Sequence, residues 1–123
     1  MFKIFIDSAD TDRIEECFNT GLIDGVTTNP SLIRQSGRSP FYVYRQLADM
    51  GIEDISMEVS GSYTEMLDEG LVLSQEFGNA ATIKLPMTVD GLKVCTKLTE
   101  LGIRTNVTLI FNAAQALLAA KAG

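Results

Sequence analysis

Lys84 lies in the apolar run Ala81 to Leu85 and is followed at once by Pro86. Lysine is seldom fully buried unless it is paired or functional. A desolvated lysine has its charged form disfavoured, which frees the neutral amine to attack a carbonyl and form an imine. Asp7 and Glu58 close other short apolar runs and could move protons to and from hydroxyls or a trapped water around such an imine. Their charges act on the lysine in the opposite sense to desolvation, and the residue types alone leave that competition open, as they leave a plain ion pair or snorkelling lysine. Histidine is absent, so acid–base work falls to carboxylates, lysine, tyrosine or bound water.

Thr27, Asn29, Asn106 and Thr108 add uncharged donors and acceptors, the groups that a polyhydroxylated ligand requires. Each has a structural alternative: asparagine before proline, as in Asn29-Pro30, commonly begins a turn or caps a helix. Asn112 with Gln115 reads as a helix cap. Cys17 and Cys95 fit no metal-ligand spacing and are too few for a disulfide framework; they read as small buried residues. No metal and no cofactor is expected.

Runs rich in β-branched residues alternate with longer segments of helical periodicity, the pattern of successive β-α units in a parallel sheet. Strands are predicted at Lys3 to Asp7, Gly25 to Asn29, Ile55 to Val59, Ala81 to Leu85 and Thr105 to Leu109. Helices are predicted at Asp10 to Phe18, Pro40 to Met50, Tyr63 to Phe77, Val89 to Leu101 and Asn112 to Ala122, with a polar loop at Arg34 to Ser39. Gly21, Gly51, Gly78 and Gly102 each close a helix before the next strand. Side chains alternate across a strand, so Asp7, Thr27 and Asn29, Ser56 and Glu58, Thr82 and Lys84, and Asn106 and Thr108 fall on one face of their strands. Strands covered by helices on both sides should instead read as nearly continuous apolar runs. Polar residues at the C-terminal ends of all five strands match the mouth of a β/α barrel, where such folds place their chemistry.

The chain has 123 residues and 46% hydrophobic content, the balance of one globular domain. A closed eight-stranded barrel takes about 250 residues. The fold class is therefore α/β, a TIM-barrel type of about five β-α units, with residues 1–123 forming a single partial barrel domain. A net charge of −6 argues against a nucleic-acid partner. The apolar runs are too short for a membrane span and no leader is visible, so a cytoplasmic protein is expected.

Four strings carry a family likeness: Phe-Ile-Asp-Ser-Ala at 5–9, Asp-Gly-Val-Thr-Thr-Asn-Pro-Ser-Leu-Ile at 24–33, Ile-Lys-Leu-Pro-Met-Thr at 83–88 and Thr-Asn-Val-Thr-Leu-Ile-Phe at 105–111. In order and spacing they resemble the small transaldolases and the related fructose-6-phosphate aldolases, and the likeness runs the length of the chain. The resemblance implies that Lys84 forms an imine with a ketose phosphate and that a dihydroxyacetone unit passes to an aldose phosphate, a reaction of the pentose phosphate pathway. It further implies that Asp7 takes the proton from the hydroxyl at the cleaved bond, that Glu58 and Thr108 hold a catalytic water, and that Thr27, Asn29 and Asn106 bind substrate hydroxyls. Aldolase members carry glutamine at the position of Glu58, which favours transfer over simple aldol cleavage. The family continues for three further β-α units, which include its phosphate contacts. An open barrel leaves strand edges unpaired, so a homo-oligomer covering them is expected.

Two other readings remain. A receiver-like signalling module also has five β-α units in such a length, but it would carry an acidic pair after the first strand, a phosphorylatable aspartate on the third and lysine on the fifth, whereas here glutamate, Glu58, is on the third and Lys84 on the fourth. The other is a non-catalytic fragment that retains the family's sequence.

Overall fold

The computed structural model describes residues 2–123. Five strands, β1 (Phe5–Asp7), β2 (Gly25–Thr27), β3 (Ile55–Glu58), β4 (Ala81–Pro86) and β5 (Arg104–Thr108), form one parallel sheet in the order 1-2-3-4-5. The helices are α1 (Thr11–Phe18), α2 (Pro30–Ser36), α3 (Pro40–Asp49), α4 (Tyr63–Phe77), α5 (Val89–Glu100) and α6 (Ala113–Ala122). Each strand pairs with the next in sequence, the order in which successive β-α units add side by side. The result is a partial β/α barrel of about five units with β1 and β5 as its free edges.

The core lies between sheet and helices. Ile55, Met57, Ile83 and Leu85 are fully buried from the sheet side, and Leu47, Met66, Leu73, Val94 and Leu98 from the helices. Burying each of these large side chains is worth about 1.5–3 kcal/mol, and together they fix the strand register. Gly91, in the first turn of α5, permits the tightest approach: a Cβ there would overlap the Pro86 carbonyl oxygen. The turn from β4 into α5 therefore depends on the missing side chain.

Pro30 to Ser36 is helical, so Arg34 to Ser36 forms the last turn of α2 rather than part of a polar loop. Asn29 caps that helix through Leu32 N–H at 3.0 Å, Pro30 takes the first helical position where its missing N–H costs nothing, and Gly37 at φ 71° ends it. Cys95 is buried as expected, whereas Cys17 is only half-buried because it lies on the flank of α1 rather than its inner stripe. The first two strands are shorter than the sequence suggests, since pairing begins only at Phe5 in β1 and stops at Thr27 in β2.

Apolar side chains crowd the β5 and α6 surface: Leu109, Phe111, Leu117 and Leu118 are all more than half exposed. Leu109 has φ 68°, a conformation that L residues rarely adopt, where the chain leaves β5.

Candidate functional site

The parallel register builds the site in tiers. Asp7, Thr27, Ser56, Thr82 and Arg104 are successive Cα partners, and one tier nearer the mouth Glu58, Lys84 and Asn106 are partners in the same way. Pro86 and Thr108 pair a step further on.

Lys84 Nζ lies 3.1 Å from Glu58 Oε2 and donates to the Thr28 carbonyl oxygen at 3.0 Å. The Lys84 and Glu58 side chains are only 12% and 20% exposed. At that distance and burial the pair interacts more strongly than a surface ion pair, because less water screens it. The amine is thus tied to two oxygens from two neighbouring strand ends, yet retains access to the mouth.

The other expected residues divide into three groups. Asp7 is exposed and its Oδ1 accepts from Thr27 Oγ1 at 2.8 Å, so these two residues form a unit of their own beside the Lys84–Glu58 pair. Asn106 Nδ2 donates to the buried Ser56 hydroxyl at 3.0 Å, crossing beneath β4. Thr108 is half-buried at the end of β5, where its carbonyl receives the Met87 N–H at 3.0 Å. Asn29 has its side-chain oxygen engaged in capping α2, which leaves its amide N–H groups for any ligand. Asn112 caps α6 through Gln115 N–H at 2.9 Å, while the Gln115 side chain turns back to accept from Phe111 N–H at 2.7 Å.

One partner escaped the sequence reading, and two residues of the polar face have other partners than it suggests. The Thr28 carbonyl has no signature, because every residue carries one. Ser56 sits on the polar face but is too deep to reach the mouth, being 2% exposed. Thr82, read as part of the polar set, turns to the opposite end of the sheet, where its hydroxyl donates to Asp54 Oδ1 at 2.7 Å. Asp54 also receives Arg104 at 3.2 Å and Lys3 at 3.5 Å, and Arg104 reaches the carbonyls of Glu53 and Asn79. This ionic floor closes the end of the sheet away from the chemistry.

Behind the site, on the helix side of the sheet, Tyr44 of α3 is 2% exposed and stands edge-on to Phe77 with ring centroids 6.0 Å apart. Burial pushes its phenol above the ordinary value of 10.0, opposed by the Thr28 side chain and the Glu58 backbone beside it. Among the described residues no group of three or more His, Cys, Asp or Glu side chains could hold a metal ion, and no helix is long and apolar enough to cross a membrane.

A half-buried amine with a carboxylate 3.1 Å away, and a second carboxylate at the end of β1, two strands from Glu58, are groups of the kind that form and process an imine. Comparison with known proteins identifies the family. Residues 4–123 match the family described as Transaldolase/Fructose-6-phosphate aldolase. The chain is 53% identical over 122 residues to a protein named probable transaldolase from Geobacter metallireducens, covering 98% of this chain and 56% of that one. Proteins with the same name from Chelativorans sp. and Thermodesulfovibrio yellowstonii are 51% and 48% identical, with the same coverage. The chain therefore spans about half the length of the relatives it matches.

Proposed function

The chain belongs to the transaldolase and fructose-6-phosphate aldolase family, and from that premise we propose that it carries the imine-forming half of a site that transfers a dihydroxyacetone unit between sugar phosphates. The reading rests on one observation above the others: the amine of Lys84, at the mouth end of an otherwise apolar strand, lies 3.1 Å from Glu58. In this proposal the Lys84 nitrogen adds to the ketose carbonyl, the carbonyl oxygen leaves as water, and a protonated imine remains. Asp7 accepts the proton of the hydroxyl at the bond to be cleaved. The electrons of that bond move toward the imine nitrogen, releasing an aldose phosphate and leaving an enamine. The enamine carbon then attacks the acceptor aldehyde, and water held by Glu58 and Thr108 hydrolyses the new imine. Thr27, Asn29 and Asn106 bind substrate hydroxyls.

Glu58 favours transfer over aldol cleavage, because aldolases resembling this chain have glutamine there. A site retaining a carboxylate can activate the hydrolytic water as a general base. We extend the proposal to a cytoplasmic role in carbohydrate metabolism, in an assembly of copies that covers the free β5 edge and its exposed Leu109 and Phe111.

Borohydride trapping with dihydroxyacetone, followed by mass spectrometry of peptides, tests the chemistry. The expected adduct is on Lys84; a folded chain with Lys84 unmodified refutes the imine. Turnover with a ketose and an aldose phosphate together, but not with the ketose alone, distinguishes transfer from cleavage. Native mass measurement tests the assembly, and a monomer refutes it.

A further inference from the structure

The Asn106 side chain does not stay over its own strand. Its Nδ2 donates at 3.0 Å to Ser56 Oγ on β3, so the amide crosses the inner face of β4 between Thr82 and Lys84. Neither of those side chains competes for it: Thr82 turns away to Asp54, and Lys84 reaches out to Glu58 and the Thr28 carbonyl. Ser56 lies two residues before Glu58 on the same face of β3. Two rungs therefore run to β3 one above the other, an ionic rung from Lys84 to Glu58 and a neutral rung from Asn106 to Ser56. The ladder fixes the Asn106 backbone beside Lys84 but leaves its side-chain torsions free. Ser56 is the side-chain partner that settles them, and at 2% exposure its hydroxyl is beyond the reach of a ligand.

We propose that Ser56 is a positioning residue that gives the site its preference for hydroxylated ketones. It holds the Asn106 amide beside the Lys84 stem, where the amide's carbonyl oxygen and second N–H are left for a hydroxyl of a ketone bound at the amine. Ser56 touches no substrate and acts only through Asn106. A freely turning asparagine has to be ordered by each ligand, whereas a held one meets the hydroxyl already oriented. The inference rests on the reading of Lys84 as the reacting amine and Asn106 as a hydroxyl-binding group, and deepens it by naming the residue that orients the amide.

The experiment compares two ketones on the intact chain: dihydroxyacetone, with a hydroxyl on each side of its carbonyl, and acetone, with none. With either one the Lys84 nitrogen adds to the carbonyl carbon, water leaves, and cyanoborohydride delivers hydride to the imine carbon. The product is a stable secondary amine that peptide mass spectrometry locates. Ser56→Ala is expected to raise the dihydroxyacetone concentration that half-saturates Lys84 trapping about fivefold, the equivalent of one hydrogen bond, and to leave acetone trapping unchanged. Ser56→Cys keeps the volume and offers only a weak acceptor, so it should show the same ketone-selective loss with the unfolding midpoint retained. In an Asn106→Ala background, Ser56→Ala should add no further loss. Equal losses with both ketones, a Ser56→Cys variant that behaves as wild type, or additive losses in the double variant would make Ser56 a packing residue and overturn the proposal. An unchanged half-saturation for dihydroxyacetone in Ser56→Ala overturns it as well. If the folded wild type traps neither ketone at Lys84, the imine reading fails and takes this inference with it, whereas trapping that ignores Ser56 refutes the inference alone.

Discussion

The Lys84–Glu58 pair can be weighed by a double-mutant cycle with Glu58→Gln, Lys84→Met and the two combined. Exposed pairs contribute up to about 1 kcal/mol, while removing one member of a fully buried pair costs about 3–5 kcal/mol. With the side chains 12% and 20% exposed and the charges 3.1 Å apart, this pair lies between those limits. Lys84 also keeps the Thr28 carbonyl when Glu58 is neutralised, which softens the single loss. The expected coupling is about 2 kcal/mol, a factor of about thirty in the folding equilibrium. Urea unfolding of the four proteins, extrapolated with equal slopes, measures it. A coupling below about 0.5 kcal/mol would mean that water screens the pair as at any surface, and the picture of an amine held by two strand ends would then fail.

Three further outcomes follow from other parts of the fold. Gly91→Ala is expected to cost about 3 kcal/mol through overlap with the Pro86 carbonyl, read as a lower urea midpoint; an unchanged midpoint would show that the β4–α5 turn yields easily. Asp54→Ala strips the Thr82 hydroxyl and Arg104 of their shared partner and should cost about 2 kcal/mol, measured by thermal unfolding. Because burial raises the Tyr44 phenol, the unfolded chain loses that proton first as pH climbs past 10.0, so stability is intact below this value and declines above it. The decline between about pH 9 and about pH 11 should be shallower in Tyr44→Phe; equal slopes would contradict the assignment.

Strand phase was legible because alternation is a strict constraint: shifting Lys84 by one residue would place it among Ile83 and Leu85 under α4 and α5. That constraint also places Glu58 and Asn106 on the same face as Lys84, and the register makes them its Cα partners. The same rule could not give depth along a strand, and so Thr82 was grouped with Lys84 although it joins Asp54 at the far end. Asn29 carried two signals, a cap and a ligand group, and the cap took its oxygen because Pro30 fixes the first turn of α2. The helix itself was missed because seven residues give too little periodicity to register, and its stop signal, Gly37, lay inside a run rich in polar residues. The Thr28 carbonyl was beyond reach, since its role depends on tertiary placement alone.

The capping pattern of the helices has an electrostatic consequence. Asp10, Asn29, Ser62, Thr88 and Asn112 cap helix N-termini that follow strand ends, while Gly21, Gly51, Gly78 and Gly102 turn the chain at the opposite rim. Every helix that follows a strand therefore begins at the mouth, and the partial positive charges of these N-termini gather at that rim. In a chain of net charge −6 these backbone partial charges are a local positive contribution at the rim that holds Lys84. Side-chain charges repel an approaching anion from afar, and the backbone at the first turn of these helices attracts it only at short range, within a Debye length of about 8 Å at physiological salt.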